Sequence, residues 1–216
     1  MKSIAFLQRA PQRPRLRPAL PAVLPAVLPA VLLAVLALAG CAVSSPPVLL
    51  YQLRAAPPVA TAPPTPSALQ WQLLLPVSVP EYLDRDALLL PQGQSGLLPL
   101  TGHRWAEPLR DSVPRVLRQD LAALLGESRV WAAPVPAGVV ITRRLRVELL
   151  ALEASADRSS VLLRARWSLV DPSGAAPARA DSVALSAASA GTDVDSLVAA
   201  HRLALWRLAE TIAATP

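Results

Sequence analysis

The chain predicts an α+β fold, a two-layer α/β sandwich with a mostly antiparallel sheet and two main helices on one face. Three observations lead there. Residues 139–152 and 161–170 alternate apolar and polar side chains, as strands with one buried and one wet face do. Residues 105–125 and 194–212 repeat apolar side chains at three- and four-residue spacing, a helical stripe. The element order is strands, helix, three meandering strands, helix, which sets two helices over one face of an antiparallel-rich sheet.

The first 40 residues read as a bacterial lipoprotein export signal. Lys2, Arg9, Arg13, Arg15 and Arg17 form a basic leader without an acid, and an uncharged stretch runs from Pro18 to Gly40. Leu38-Ala39-Gly40-Cys41 then makes Cys41, the sole cysteine, the acceptor of a diacylglyceryl group and the first residue of the mature chain. An uncleaved spanning helix is the competing reading, since the apolar run is long enough. However, Leu20-Pro21-Ala22-Val23 recurs as a Pro-every-fourth-residue pattern. Each interior proline costs a helix roughly 3 kcal/mol. Ala42 after the cysteine, in place of an aspartate, favours the outer membrane by resemblance to sorting rules in enteric-type bacteria.

Residues 41–68 read as a lipidated, proline-rich tether. Pro57-Pro58 and Pro63-Pro64-Thr65-Pro66 favour extended, unpacked backbone. A short strand over 48–53 interrupts it. Residues 69–216 form a single domain, long enough for a real core. Residues 71–79 predict a buried strand, with Pro76 marking an edge or a bulge. Leu88-Leu89-Leu90 and Leu97-Leu98 flank a Gly/Gln loop and predict a small hairpin.

Trp105, Leu109, Val113, Val116, Leu117, Leu121, Leu124 and Leu125 predict the first helix, stopped at Gly126. Pro108 suits its first turn. Pro114 predicts either a kink or a start near Ser112. The strands at 139–152 and 161–170 pair as a hairpin, and 179–187 adds a third, weaker strand. Thr192 or Asp193 caps the last helix. Its buried stripe is Val194, Leu197, Val198, His201, Leu205, Leu208 and Ile212. Leu203 and Trp206 fall off that stripe, either packed under a loop or exposed to a partner.

Charge excludes one class of function. The net charge of +6 resides mostly in the leader; without its five basic residues, 16 basic face 15 acidic. No basic footprint for nucleic acid survives in the mature chain. With Cys41 acylated, no intrachain disulfide can form. No metal site is expected, since two histidines without a folded-domain cysteine offer no ligand set. No nucleophile elbow, P-loop or dinucleotide fingerprint occurs, and no catalytic residue or cofactor is expected. His201 is expected as a hydrogen-bonded core histidine, and His103 in a loop or capping role.

Arg144, Arg146, Arg164 and Arg166 fall on one face of two paired strands. They read either as a solvated face with ion pairs to Glu148 or Asp181, or as a basic patch for acidic partners or phospholipid headgroups.

Two segments together carry a resemblance. Val77-Ser78-Val79-Pro80-Glu81-Tyr82-Leu83-Asp84-Arg85 is followed by His103-Arg104-Trp105-Ala106-Glu107-Pro108-Leu109, then Arg115-Val116-Leu117 and Leu121 to Gly126. With Tyr51-Gln52-Leu53 after the lipobox, this resembles the ABC-type transport auxiliary lipoprotein family, which includes the lipoprotein of the paraquat-inducible operon. The resemblance covers residues 38–130 by motif and the rest by element order.

It implies an α/β sandwich without catalytic residues, anchored at the outer membrane and facing the periplasm. It implies as partners an ABC permease/ATPase complex and an MCE-domain substrate-binding protein that moves lipid across the envelope. Self-association into a homo-oligomer is compatible with it. Tyr82, Leu83, Asp84, Arg85, Arg104, Trp105 and Glu107 are the candidate structural or partner-binding motif. Within it Trp105 is expected as a core anchor, and Arg104 with Glu107 as an ion pair at the helix start. The alternative is a stand-alone envelope assembly or structural lipoprotein without a transport partner.

Overall fold

The computed structural model describes residues 47–60 and 68–215. The export signal, Cys41 and the proline cluster at 63–66 lie outside the described residues. The fold is α+β, with two mixed sheets and two main helices.

Among the described residues, eight strands divide between the sheets. β1 (Leu49–Tyr51), β3 (Ala87–Gln92) and β4 (Gly96–Trp105) form a three-stranded sheet in the order β1-β4-β3. β2 (Trp71–Leu73), β5 (Val130–Trp131), β6 (Arg143–Ala154), β7 (Ser160–Val170) and β8 (Arg179–Ala188) form the second, ordered β5-β2-β6-β7-β8. The expected 139–170 hairpin is present, with β6 and β7 antiparallel from Arg144↔Val170 to Ala154↔Val161. β8 continues the meander on β7.

Alternation along β7 sets its burial. Val161, Leu163, Ala165, Trp167 and Leu169 face the core, while Arg164 and Arg166 face water. β2 departs from the expectation in two ways. It is an interior strand parallel to both β5 and β6, and it stops at Leu73. Pro76 has no N–H to give the ladder. The chain rejoins β6 only at Ser78, whose N–H donates to Val147 O at 3.3 Å and whose carbonyl accepts from Leu149 N at 2.8 Å.

The short strand of the tether belongs to the folded domain, because β1 pairs in parallel with the C-terminal half of β4. β4 is longer than the leucine pair suggested. It carries His103, Arg104 and Trp105 as strand residues, so Trp105 ends a strand instead of starting the helix, and His103 is not in a loop. A wide irregularity accompanies this. Ala87 pairs with Arg104 but Leu89 with Pro99, leaving residues 100–103 of β4 unmatched by β3.

α1 (Leu109–Leu125) begins after Pro108 and runs through Pro114. Pro114 is early enough that its missing donor leaves only the carbonyl of Arg110 without its helical partner, so neither a late start nor a break results. Gly126 ends the helix at φ 112°, a conformation open to glycine. α2 (Val194–Ala213) starts at Asp193, whose carboxylate accepts the Ser196 N–H at 2.9 Å.

Val113, Val116, Leu117 and Leu121 of α1 meet Leu205, Leu208 and Ile212 of α2 and the inner face of β6 and β7 in one core. Trp206, off the main stripe, is itself fully buried, and Leu203 is half-buried against the core. The surface-patch reading of that pair is thereby overturned for Trp206.

Candidate functional site

The predicted motif residues gather around the end of the three-stranded sheet, where a 3-10 turn (Glu81–Leu83) meets β4 and β6. Leu83 is core. Tyr82 donates its hydroxyl to Glu153 of β6. Burial, then the Glu153 carboxylate, pushes the phenol above its usual range. Asp84 accepts from Arg110 at 2.5 Å through one oxygen, while its other oxygen is buried without a hydrogen-bond partner. Arg85 and Arg104 are exposed.

Trp105 is buried and stands edge-on to His201, with ring centroids 5.5 Å apart. The expected pairing of Arg104 with Glu107 does not form. Glu107 pairs instead with Arg115, nearly two turns into α1, which also donates to Leu53 O at 3.4 Å. Arg104 sits on a strand whose register sets it opposite Leu50 and Ala87, away from the helix start.

A cavity of about 290 Å³ opens beside these residues. Its walls are mainly apolar, including Leu88, Leu97, Trp105 and Leu152, with Tyr82, Glu153 and His201 as the ionisable groups. His201 is buried, and its Nδ1 lies 2.8 Å from Leu197 O. A carbonyl only accepts, so Nδ1 carries the proton. Burial pushes the imidazole down to about 4, which keeps it neutral at physiological pH. The expected core histidine is therefore what the fold holds. His103 sits on β4 within 2.9 Å of the Tyr51 hydroxyl.

Arg144, Arg146, Arg164 and Arg166 are exposed together on the outer face of β6 and β7. Glu148 crosses the ladder to Arg166 at 2.6 Å, so one of the four is already paired. The other three are exposed as well, Arg146 opposite Ser168, Arg144 opposite Val170 and Arg164 opposite Ala184.

One polar cluster escaped the sequence reading. Arg202 donates to Asp120 through both terminal nitrogens, at 2.8 and 2.5 Å, with both residues almost fully buried. It also donates to the carbonyls of Arg54 at 2.7 Å and Ala56 at 3.1 Å. Burial pushes the Asp120 carboxyl up to about 6, with Arg202 pulling the other way. The signal was available. Asp120 falls on the apolar stripe between Leu117 and Leu121, and a charge there calls for a buried partner.

Among the described residues no group of three or more His, Cys, Asp or Glu is placed to hold a metal ion. Among the same residues no helix is long and apolar enough to cross a membrane. The arrangement offers an exposed arginine face, an apolar cavity and structural ion pairs.

The family model for ABC-type transport auxiliary lipoprotein components matches residues 51–213. No curated protein matches the chain. A crystal structure of an uncharacterized protein, 19% identical, aligns over 78% of this chain and 97% of its own with a TM-score of 0.60. A crystal structure of a Xanthomonas campestris protein of family DUF330, 18% identical, aligns over 77% of this chain and 93% of its own with a TM-score of 0.56. At these identities the two structures show a shared fold.

Proposed function

Because this chain belongs to the family of ABC-type transport auxiliary lipoprotein components, we propose that it is the membrane-anchored accessory of an ABC transporter whose substrate-binding subunit carries an MCE domain and moves lipid between membranes. In this reading Cys41 bears the lipid, the anchor sits in the outer membrane, and the domain faces the periplasm and docks the transporter there.

The observation that carries the reading is the extent of the family match. Residues 51–213 run from the end of β1 to the last residue of α2, so the whole folded domain is covered and not one motif. The side chains support a scaffold without catalysis. Trp105 and Leu83 are core anchors, Glu107 and Asp84 are engaged in ion pairs with α1, and His201 is locked as a neutral imidazole. The arginine face of β6 and β7 suits an acidic surface of a partner subunit.

Affinity purification of the tagged full-length protein from detergent-solubilised envelope tests this. The permease, the ATPase and an MCE-domain protein are expected to co-purify. Recovery of the lipoprotein free of every transporter subunit, with envelope permeability unchanged on deletion, would sink the reading.

A further inference from the structure

We propose that the β3–β4 hairpin and the β1 edge form a membrane-contact face, which lies on the bilayer that holds the lipid anchor. The inference rests on the reading of Cys41 as that anchor.

The hairpin is unusual in its chemistry. From Ala87 through Gly102 no residue is charged. Its tip is also open. Every residue from Gln92 to Pro99 is exposed, with Leu97 at 43% and Leu98 at 49%. These two are neighbours on one strand, so apolar side chains leave both faces of the hairpin at its tip. Inward-facing leucines are explained by the core, as Leu88 and Leu90 are. Leu97 and Leu98 are not, and adjacent exposed leucines in an uncharged hairpin carry a solubility cost that an apolar partner removes.

The path of the chain identifies the partner. Leu49 and Leu50 on the edge strand β1 are exposed at 51% and 65%, and Val48 just before it at 51%. β1 runs parallel to β4, with Leu49 opposite His103 and the Pro47 carbonyl beside Gly102. The polypeptide thus enters the domain from the side of β4 on which the hairpin tip lies. From Cys41 to Val48 the chain spans at most about 25 Å. A lipid on Cys41 therefore keeps β1 close to the membrane surface, and the uncharged hairpin is the apolar element on that approach. An anchored acyl group gains from a second, protein-borne contact of this kind. Arg104, exposed opposite Leu50, supplies a cation at headgroup level.

The full-length lipoprotein, reconstituted into phosphatidylethanolamine/phosphatidylglycerol vesicles, tests this with an environment-sensitive fluorophore on Leu98→Cys. The acylated Cys41 is a thioether and takes no label. Ser173→Cys is the control. It is exposed in the β7–β8 turn, at the end of the five-stranded sheet opposite Leu152 and Ala154, which border the cavity under the hairpin. The Leu98 label is expected to shift to the blue and to lose most of its emission when the lipid chains are brominated. The Ser173 label should do neither. Water-like emission from Leu98 in protein that floats with the vesicles overturns the proposal and leaves the anchor intact. A blue shift without bromine quenching sets the hairpin against protein and overturns it too. Failure to float at all overturns the anchor reading and the contact face with it.

Discussion

Arg202 of α2 and Asp120 of α1 form a buried bidentate pair, Nη1 to Oδ2 at 2.8 Å and Nη2 to Oδ1 at 2.5 Å. The same guanidinium holds the carbonyls of Arg54 and Ala56, so one side chain ties both helices to the segment that follows β1. Removing one partner leaves a buried charge without its complement. Asp120→Ala is expected to cost about 3–5 kcal/mol in urea unfolding, and the double change Asp120→Leu with Arg202→Met less than the single one. A single-variant loss under about 1 kcal/mol, the range of a surface pair, would contradict the buried clamp.

His201 sets a pH dependence. Its folded pKa is lowered to about 4, below the unfolded value of 6.5, so the unfolded chain takes the proton first. The stability it contributes is complete above 6.5 and is lost as pH falls toward 4. The slope is about 1.4 kcal/mol per unit, roughly 2 kcal/mol between pH 6.5 and 5. Asp120, raised to about 6, works in the opposite sense, favouring the fold as pH falls through that value. Comparison of wild type with His201→Asn isolates the imidazole. The variant should lose this acid sensitivity, and parallel pH profiles would refute the assignment.

Trp105 separates a core role from a docking role. It is 8% exposed and edge-on to His201. Trp105→Ala should cost about 3–5 kcal/mol in chemical denaturation. Unchanged stability with weakened transporter association would make it a docking residue.

The exposed pairs should matter little. Glu107 with Arg115 and Glu148 with Arg166 are all about a third exposed or more. Glu107→Gln and Glu148→Gln are each expected to lower stability by less than about 1 kcal/mol. A larger loss would reveal desolvation that the exposure does not suggest.

The proposed anchor at Cys41 is tested by removing its thiol. A Cys41→Ser chain should lose its lipid and its membrane fraction while keeping the far-UV circular dichroism of the wild type. Persistent membrane association of that variant would restore the spanning-helix reading.

Much of the fold was legible in the residues. The alternation of 161–170 identified the buried face of β7 correctly, and the stripe of α2 proved buried at every named position. The Asp193 cap was one of two named candidates. Each of these is a local property, because side-chain periodicity follows from the period of strand or helix itself.

The misses share a different cause. Trp105 continued the helical spacing of α1 but ends β4, since pairing with β1 and β3 outweighed a one-residue extension of a periodic pattern. Glu107 found Arg115 and not Arg104 because the strand carries Arg104 away from the helix start. Trp206 fell off the main stripe yet is buried, which spacing on a single helix cannot report.

By itself, then, the sequence determined the element types, the faces of the meander and the family, and it predicts an export signal over residues 1–40. Only the tertiary structure decided that the strands form two sheets, that β2 runs parallel inside one of them, that Asp120 meets Arg202, and that Leu97 and Leu98 stay outside the core. Periodicity records which face of an element is apolar, but the partner of that face is chosen by non-local pairing among distant segments. For the opening clamp, 82 residues separate the two charges.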